Sequence, residues 1–247
     1  MMLPEKLWSE DACYVLFEGA ELKGELRETL IANQSGLLRP LLLHPDVFEL
    51  INLGPWLWHC QQASAPLLEQ MIEQGVVQGL IHSQRSLEEL QQQLAMGCMV
   101  VEPKERHSQL LRFYTAQALP LMLAERQAPW YGALFGGIEC WWTWQCEDNW
   151  AEHQIEAIVS PLLPIQLSEP LFAALMGDKD LPRLLNQWRE GHTFSQFPAC
   201  LRSAQALKAL GKADKRGASA ADRLLWALIW LEGGNKALNE EIEQSCA

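Results

Sequence analysis

The sequence predicts an α/β domain (an α+β arrangement on a mixed sheet) over residues 1–155, followed by a smaller all-helical lobe over 160–247. Three observations predict it. From residue 13 to 146, short β-branched and aromatic runs alternate with apolar stripes of helical period. Pro161, Pro164 and Pro170 then punctuate a link. Beyond the link only helical patterning remains, with Gly177, Gly191, Gly211 and Gly233-Gly234 placed where helices end.

The elements follow in order. Residues 13–17, Cys-Tyr-Val-Leu-Phe, read as a buried strand that Glu18-Gly19-Ala20 ends. Residues 21–33 read as a helix with Leu22, Leu26 and Leu30 on one face. A strand is expected over 37–43 and a second over 56–60, after the Gly54-Pro55 turn. Residues 64–74 suit a helix capped by Ser64 with Pro66 in its first turn. A strand over 76–82 precedes a helix over 83–95, where Ser86 and Glu89 have capping-box spacing and Leu87, Leu90 and Leu94 form the stripe. Residues 98–102 and 109–114 read as a hairpin around a polar turn, which puts Arg112 inside a strand. A helix over 115–126 and a tryptophan-rich strand over 136–146 complete the first domain. Helices are expected over 169–176, 180–189, 197–210 and 219–232.

Composition narrows the function. A net charge of −12, carried mostly by the first 150 residues, repels phosphate backbones and argues against a nucleic-acid partner. Seven scattered cysteines suit a reducing compartment better than a disulfide framework. The apolar runs at 117–124 and 157–167 are too short to span a bilayer, and the first residues lack signal-peptide architecture. A cytoplasmic protein is expected. Eleven tryptophans are an excess that serves cores and binding surfaces alike.

Motifs for chemistry are sparse. Cys140, Cys146 and His153 match no common zinc spacing, so no metal is expected. His59 and Cys60 are adjacent and point to opposite faces of a strand. There is no nucleophile elbow and no phosphate-binding glycine loop, so no cofactor is expected either. Glu88-Glu89 and Glu240-Glu241 read as solvated helix faces. Lys208, Lys212, Lys215 and Arg216 read as a solvated helix end, with an acidic protein surface as the functional alternative. In the tryptophan-rich strand, Trp142 and Trp144 share one face, and Trp141 and Thr143 the other. Either helices cover both faces or one face meets a partner. Glu18 and Arg112 are charges beside apolar strands, and a buried one needs a counter-charge.

Several segments together resemble one family. Tyr14-Val15-Leu16-Phe17-Glu18-Gly19-Ala20 is similar to its opening strand, and Gly54-Pro55-Trp56-Leu57 to its Gly-Pro-Trp-Leu motif. Ser86-Leu87-Glu88-Glu89-Leu90 with Leu94 resembles its leucine helix. Leu111-Arg112-Phe113-Tyr114 resembles its Arg-Phe-Tyr segment, and Phe135-Gly136-Gly137-Ile138 its Phe-Gly-Pro-Ile segment before tryptophans. The family is that of type VI secretion effector adaptors, or chaperones. The resemblance covers roughly residues 13–146. It implies a cytoplasmic, non-catalytic protein that binds a toxin effector and helps load it onto the VgrG spike. On this reading Glu18, Trp56, Arg112, Tyr114, Trp141, Trp142 and Trp144 are the candidate partner-binding residues. Two departures stand out. Thr115-Ala116-Gln117 replaces the family's Asp-Pro-Arg, and Glu18 stands where aspartate is commoner. The competing expectations are a cysteine-dependent enzyme on an α/β scaffold and an unrelated protein-binding regulatory module.

Overall fold

The computed structural model describes residues 3–4, 7–8, 12–104, 107–145, 149–197 and 199–233. Cys146, Cys246, Glu240 and Glu241 lie outside them, as does the side chain of Cys200. The chain divides into two units, Met1–Leu175 and Met176–Ala247.

The first unit is a mixed α/β fold centred on a six-stranded sheet. It opens with β1 (Cys13–Glu18), α1 (Gly24–Gln34), β2 (Leu38–Pro40), β3 (Pro55–His59), α2 (Ala65–Glu73) and β4 (Val77–Ser83). Then come α3 (Leu87–Gly97), β5 (Met99–Val101), β6 (Ser108–Leu110), α4 (Ala118–Ala124) and α5 (Tyr131–Phe135). β7 (Ile138–Gln145), β8 (Asn149–Gln154), β9 (Ile165–Gln166) and α6 (Glu169–Met176) follow.

The strand order is β2-β3-β1-β4-β7-β8, and every neighbouring pair is antiparallel. The connections explain this. The α1 crossover joins β1 to β2 with β3 inserted between them, and the α2 crossover joins β3 to β4 with β1 inserted. The first six elements thus form the split-βαβ order of ferredoxin-like folds. The mixing of strand directions expected for the sheet is confined to a small second sheet, β6-β5-β9, in which β5 pairs parallel with β9.

Both faces of the large sheet are covered. Cys13, Val15 and Phe17 of β1 pack with Trp58, Leu80 and Trp142 under α1 and α2. Tyr14 and Leu16 pack with Leu57, Ile81 and Trp141 under α3, α4 and α5. This settles the two-sided tryptophan pattern of β7. Trp141 and Trp142 are fully buried on opposite faces. Each removes ~150–250 Å² from water, about 4–6 kcal/mol of hydrophobic stabilisation. They are core, which corrects their place among the candidate partner-binding residues.

Some expected boundaries move for physical reasons. The capping box of α3 forms as its spacing predicts, with Ser86 Oγ accepting from the Glu89 amide and Glu89 accepting from the Ser86 amide. Ser64 precedes α2 without a side-chain cap bond. The strand expected over 37–43 is cut to three residues. It pairs with β3 only at Leu38, Arg39 and Pro40, after which Leu41 and Leu42 turn into the core. β6 ends at Leu110, so Arg112 lies in the loop that follows and not in a strand. The unit boundary falls after Leu175, not near residue 160. Ile165, Leu167 and Leu171 are buried in the first unit's core, and the β5–β9 pair ties the segment down.

The second unit holds α7 (Leu181–Arg189), α8 (Ala199–Lys215) and α9 (Arg223–Leu231) around Leu184, Trp188, Leu210 and Leu231. Ala206, Ala209 and Ala227 are fully buried where the helices meet. α8 runs through Gly211, where the sequence predicts its end. Burial of Leu210 and Ala213 on either side outweighs the ~1 kcal/mol cost of a mid-helix glycine. Lys208 and Lys212 lie over the ring of Trp230, and Arg216 lies over Trp226 at 3.8 Å. Among the described residues, no helix is long and apolar enough to cross a membrane.

Candidate functional site

The site forms where three sequence motifs meet at one end of β1. Glu18 is the last residue of that strand and sits opposite Pro55 of β3. Its neighbour Gly19 donates to the Gly54 carbonyl at 2.8 Å, and Ala20 donates to Leu53 at 3.1 Å. Only glycine fits at 19, because a Cβ there would stand 2.4 Å from the Asn52 carbonyl oxygen. The Glu-Gly-Ala and Gly-Pro-Trp motifs are therefore two halves of one corner. The third motif arrives on the loop after β6. Leu111 donates to the Cys98 carbonyl at 2.9 Å, and this turns Arg112 and Tyr114 towards Glu18. Phe113, between them, is fully buried edge-on to Trp141, with ring centres 6.1 Å apart.

Glu18 is 6% exposed, and all its contacts fall on one oxygen. Arg112 Nε donates to Oε1 at 2.9 Å, and Nη2 lies 2.6 Å from the same atom. The Tyr114 hydroxyl donates to it at 2.7 Å. A carboxylate this buried is tolerable because charge-assisted donors replace its water. The converse holds for the donors. Burial pushes the Tyr114 phenol up, Glu18 adds to the rise, and the hydroxyl stays a donor. Burial opposes the Arg112 charge, but Glu18 and Tyr114 more than offset it and raise its pKa.

A cavity of about 270 Å³ opens beside this cluster. Its apolar lining comes from Leu42, Leu50, Leu53, Leu110, Leu111 and Cys98. Leu50, Leu53 and Leu110 are themselves exposed, and so are Leu43 and Phe48 nearby in the chain. Exposed apolar residues lining a pocket are a usual mark of a binding site.

The seven candidate residues therefore separate. Glu18, Arg112 and Tyr114 come together. Trp141 and Trp142 are core. Trp56 and Trp144 are half-buried on the face of the sheet that carries α1 and α2, where Trp144 meets Trp150 edge-on at 4.8 Å. The rim leucines Leu50, Leu53 and Leu110 were missed. They lie at the end of a short 3-10 helix (Leu50), in a turn (Leu53) and at a strand end (Leu110), where no periodicity marks an apolar residue as functional.

The Phe-Gly-Gly-Ile motif serves a different corner. Arg85 Nε and Gln93 Nε2 both donate to the Gly136 carbonyl, at 2.9 and 3.1 Å, and Ser83 Oγ donates to Gly137 at 2.7 Å. These bonds hold the start of β7 against α3.

The cysteine chemistry has little to work with among the described residues. Cys13, Cys60, Cys98 and Cys140 are all buried. Cys13 is pushed up by its hydrogen bond with Cys60 and by burial, and Cys98 by burial and the nearby Glu18. Thiols held protonated in this way are poor nucleophiles. No group of three or more His, Cys, Asp or Glu side chains among the described residues could hold a metal ion.

Residues 13–133 match the model of a family described as a domain of unknown function, DUF4123. The matched stretch contains all three motifs that build the Glu18 corner, and it falls within the part of the chain that resembles type VI effector adaptors. At the level of the family the match is consistent with a role associated with type VI secretion. No curated protein and no solved structure matches the chain.

Proposed function

We propose that this chain is a cytoplasmic, non-catalytic adaptor that binds a cognate type VI toxin effector and helps load it onto the VgrG spike. One observation carries the reading. The family match covers the three motifs that converge on the Glu18–Arg112–Tyr114 corner, and that corner opens into an apolar pocket. Residues that resemble the family's motifs serve here to shape a surface beside an apolar pocket. The binding physics is that of a preformed anchor site. The end of the sheet frames the pocket, exposed leucines supply apolar area, and the buried Glu18 carboxylate with its solvent-facing Arg112 partner sets the polarity of the lining.

The test is affinity purification of the tagged full chain from cells expressing the type VI machinery, with mass spectrometry of what accompanies it. Recovery of a large toxin-like polypeptide, with or without VgrG, supports the adaptor reading. The purified pair should then run as one species at micromolar concentration. Two separate species, or no toxin recovered from secreting cells, would overturn it.

A further inference from the structure

The pocket at the Glu18 corner carries more chemistry than an apolar hole. Among the described residues Glu18 Oε2 accepts no hydrogen bond, because Arg112 and Tyr114 both bond Oε1. Arg112 Nη1 likewise donates none, and 58% of the Arg112 side chain is exposed. The lining thus offers an acceptor oxygen, Oε2, on a residue more than nine-tenths buried, next to the Nη1 donors of a solvent-facing cation. A residue in extended conformation presents the reverse pair, its own N–H and its own C=O on the same side of the chain. At about 270 Å³ the cavity is below the ~300–1,000 Å³ usual for small-molecule sites, and three of its lining leucines, Leu50, Leu53 and Leu110, are exposed to solvent. Both features suit an inserted side chain on a longer polymer better than a free metabolite.

Charge narrows the occupant further. Glu21 also lines the pocket, and Asp46 and Glu49 are exposed in the segment that carries Phe48 and Leu50. Arg112 is the one basic residue in the lining and is already committed to Glu18. With a chain charge of −12, the field at the mouth favours a cationic approach.

We propose that this pocket binds an extended segment of the partner protein that inserts one large apolar side chain, pairs the main-chain N–H and C=O of one adjoining residue with Glu18 and Arg112, and carries a neighbouring lysine or arginine. The identity of the partner rests on the adaptor reading above; the chemistry of the segment does not.

The experiment pans a phage-displayed library of linear peptides against the immobilised full chain. The affinity of the enriched peptide is then measured by fluorescence anisotropy. The expected consensus is Leu, Ile, Met or Phe beside Lys or Arg. Affinity should fall roughly tenfold or more in Leu53→Asp and in Glu18→Gln. Leu53 is 54% exposed, so Leu53→Asp keeps the fold and separates binding from stability. No enrichment, an acidic consensus, or undiminished binding by Leu53→Asp would overturn the proposal. So would a dimer that Leu53→Asp converts to monomer, since the pocket would then belong to a second copy. Leu53→Asp in the affinity purification separates the two ideas. Effector recovered equally by both proteins leaves the adaptor standing and removes this pocket. Peptide binding lost in Leu53→Asp with no effector ever recovered does the reverse.

Discussion

Arg112 lines the pocket beside Glu18 with Nε and Nη2 at 2.9 and 2.6 Å from the same carboxylate oxygen. The cation is mostly in solvent and the anion is almost wholly out of it. The pair therefore differs from a surface salt bridge, which contributes little, and from a fully buried one, whose loss costs ~3–5 kcal/mol.

Arg112→Ala should lower stability by about 1–3 kcal/mol, because Glu18 keeps Tyr114 and gains water in place of the guanidinium. The cost should shrink sharply in a Glu18→Gln background, where no buried charge is left uncompensated. Urea unfolding of the four proteins of this double-mutant cycle checks it. Equal costs in both backgrounds would show that the two residues act independently.

Trp141 should be the costliest aromatic to truncate. Trp141→Ala removes a fully buried indole and is expected to cost about 3–5 kcal/mol. Trp144→Ala, on a half-buried residue, should cost clearly less. Gly79 supports the same ring, since a Cβ there would stand 2.5 Å from Trp141 Nε1 and 3.1 Å from the Trp142 carbonyl oxygen. Gly79→Ala is expected to cost about 1–3 kcal/mol through overpacking. Thermal melts that rank Trp144→Ala above Trp141→Ala in damage would contradict the burial pattern.

The buried thiols should resist alkylation. In the native protein Cys13, Cys60, Cys98 and Cys140 are expected to react with iodoacetamide far more slowly at neutral pH than after denaturation. Peptide mapping of the labelled sites gives the answer residue by residue. Fast native labelling of Cys98, which lines the pocket, would revive a nucleophilic reading of that site.

The second unit should be acid-sensitive through Arg223. Its guanidinium bonds Asp178, Asp180 and Asp214, using Nε, Nη1 and Nη2. Hydrogen bonds from Arg223 hold Asp178 and Asp214 below the ordinary carboxylate range. A lowered carboxylate contributes stability that is present above its unfolded value of ~3.9 and lost as pH falls through the folded value. The protection factors of α8 amides, exchange rates taken relative to the intrinsic rate at each pH, should therefore fall in wild type below about pH 4. Arg223→Met should start less protected and change less over the same range. Parallel pH curves for the two proteins would remove Arg223 as the cause.

Much of the first unit was legible because its signals are local. The apolar run at residues 13–17, the Ser86–Glu89 spacing and the Leu87, Leu90, Leu94 stripe each mark an element without reference to the rest of the chain. Glu18 and Arg112 could also be picked out, since a charge beside an apolar strand calls for a partner. The elements that escaped notice depend on distant packing. α5 is five residues long, β8 is a sheet edge with exposed residues, and β9 is a two-residue pairing to β5. None has a periodicity that a sequence displays.

Sequence by itself determined the class of fold, the helical character of the C-terminal region and the residue types at the candidate site. These follow from backbone propensity and the spacing of apolar side chains. Tertiary structure alone decided the antiparallel order of the large sheet, because crossovers fix which strand is inserted between which. It also decided that Trp141 and Trp142 are interior. Alternation says only that they face opposite ways, and burial depends on α1 to α5 covering both sides. The pocket belongs to this second kind of knowledge. Leu53 and Arg112 are 59 positions apart in the chain, and only the corner built by Glu18, Gly19 and Gly54 brings them to one opening.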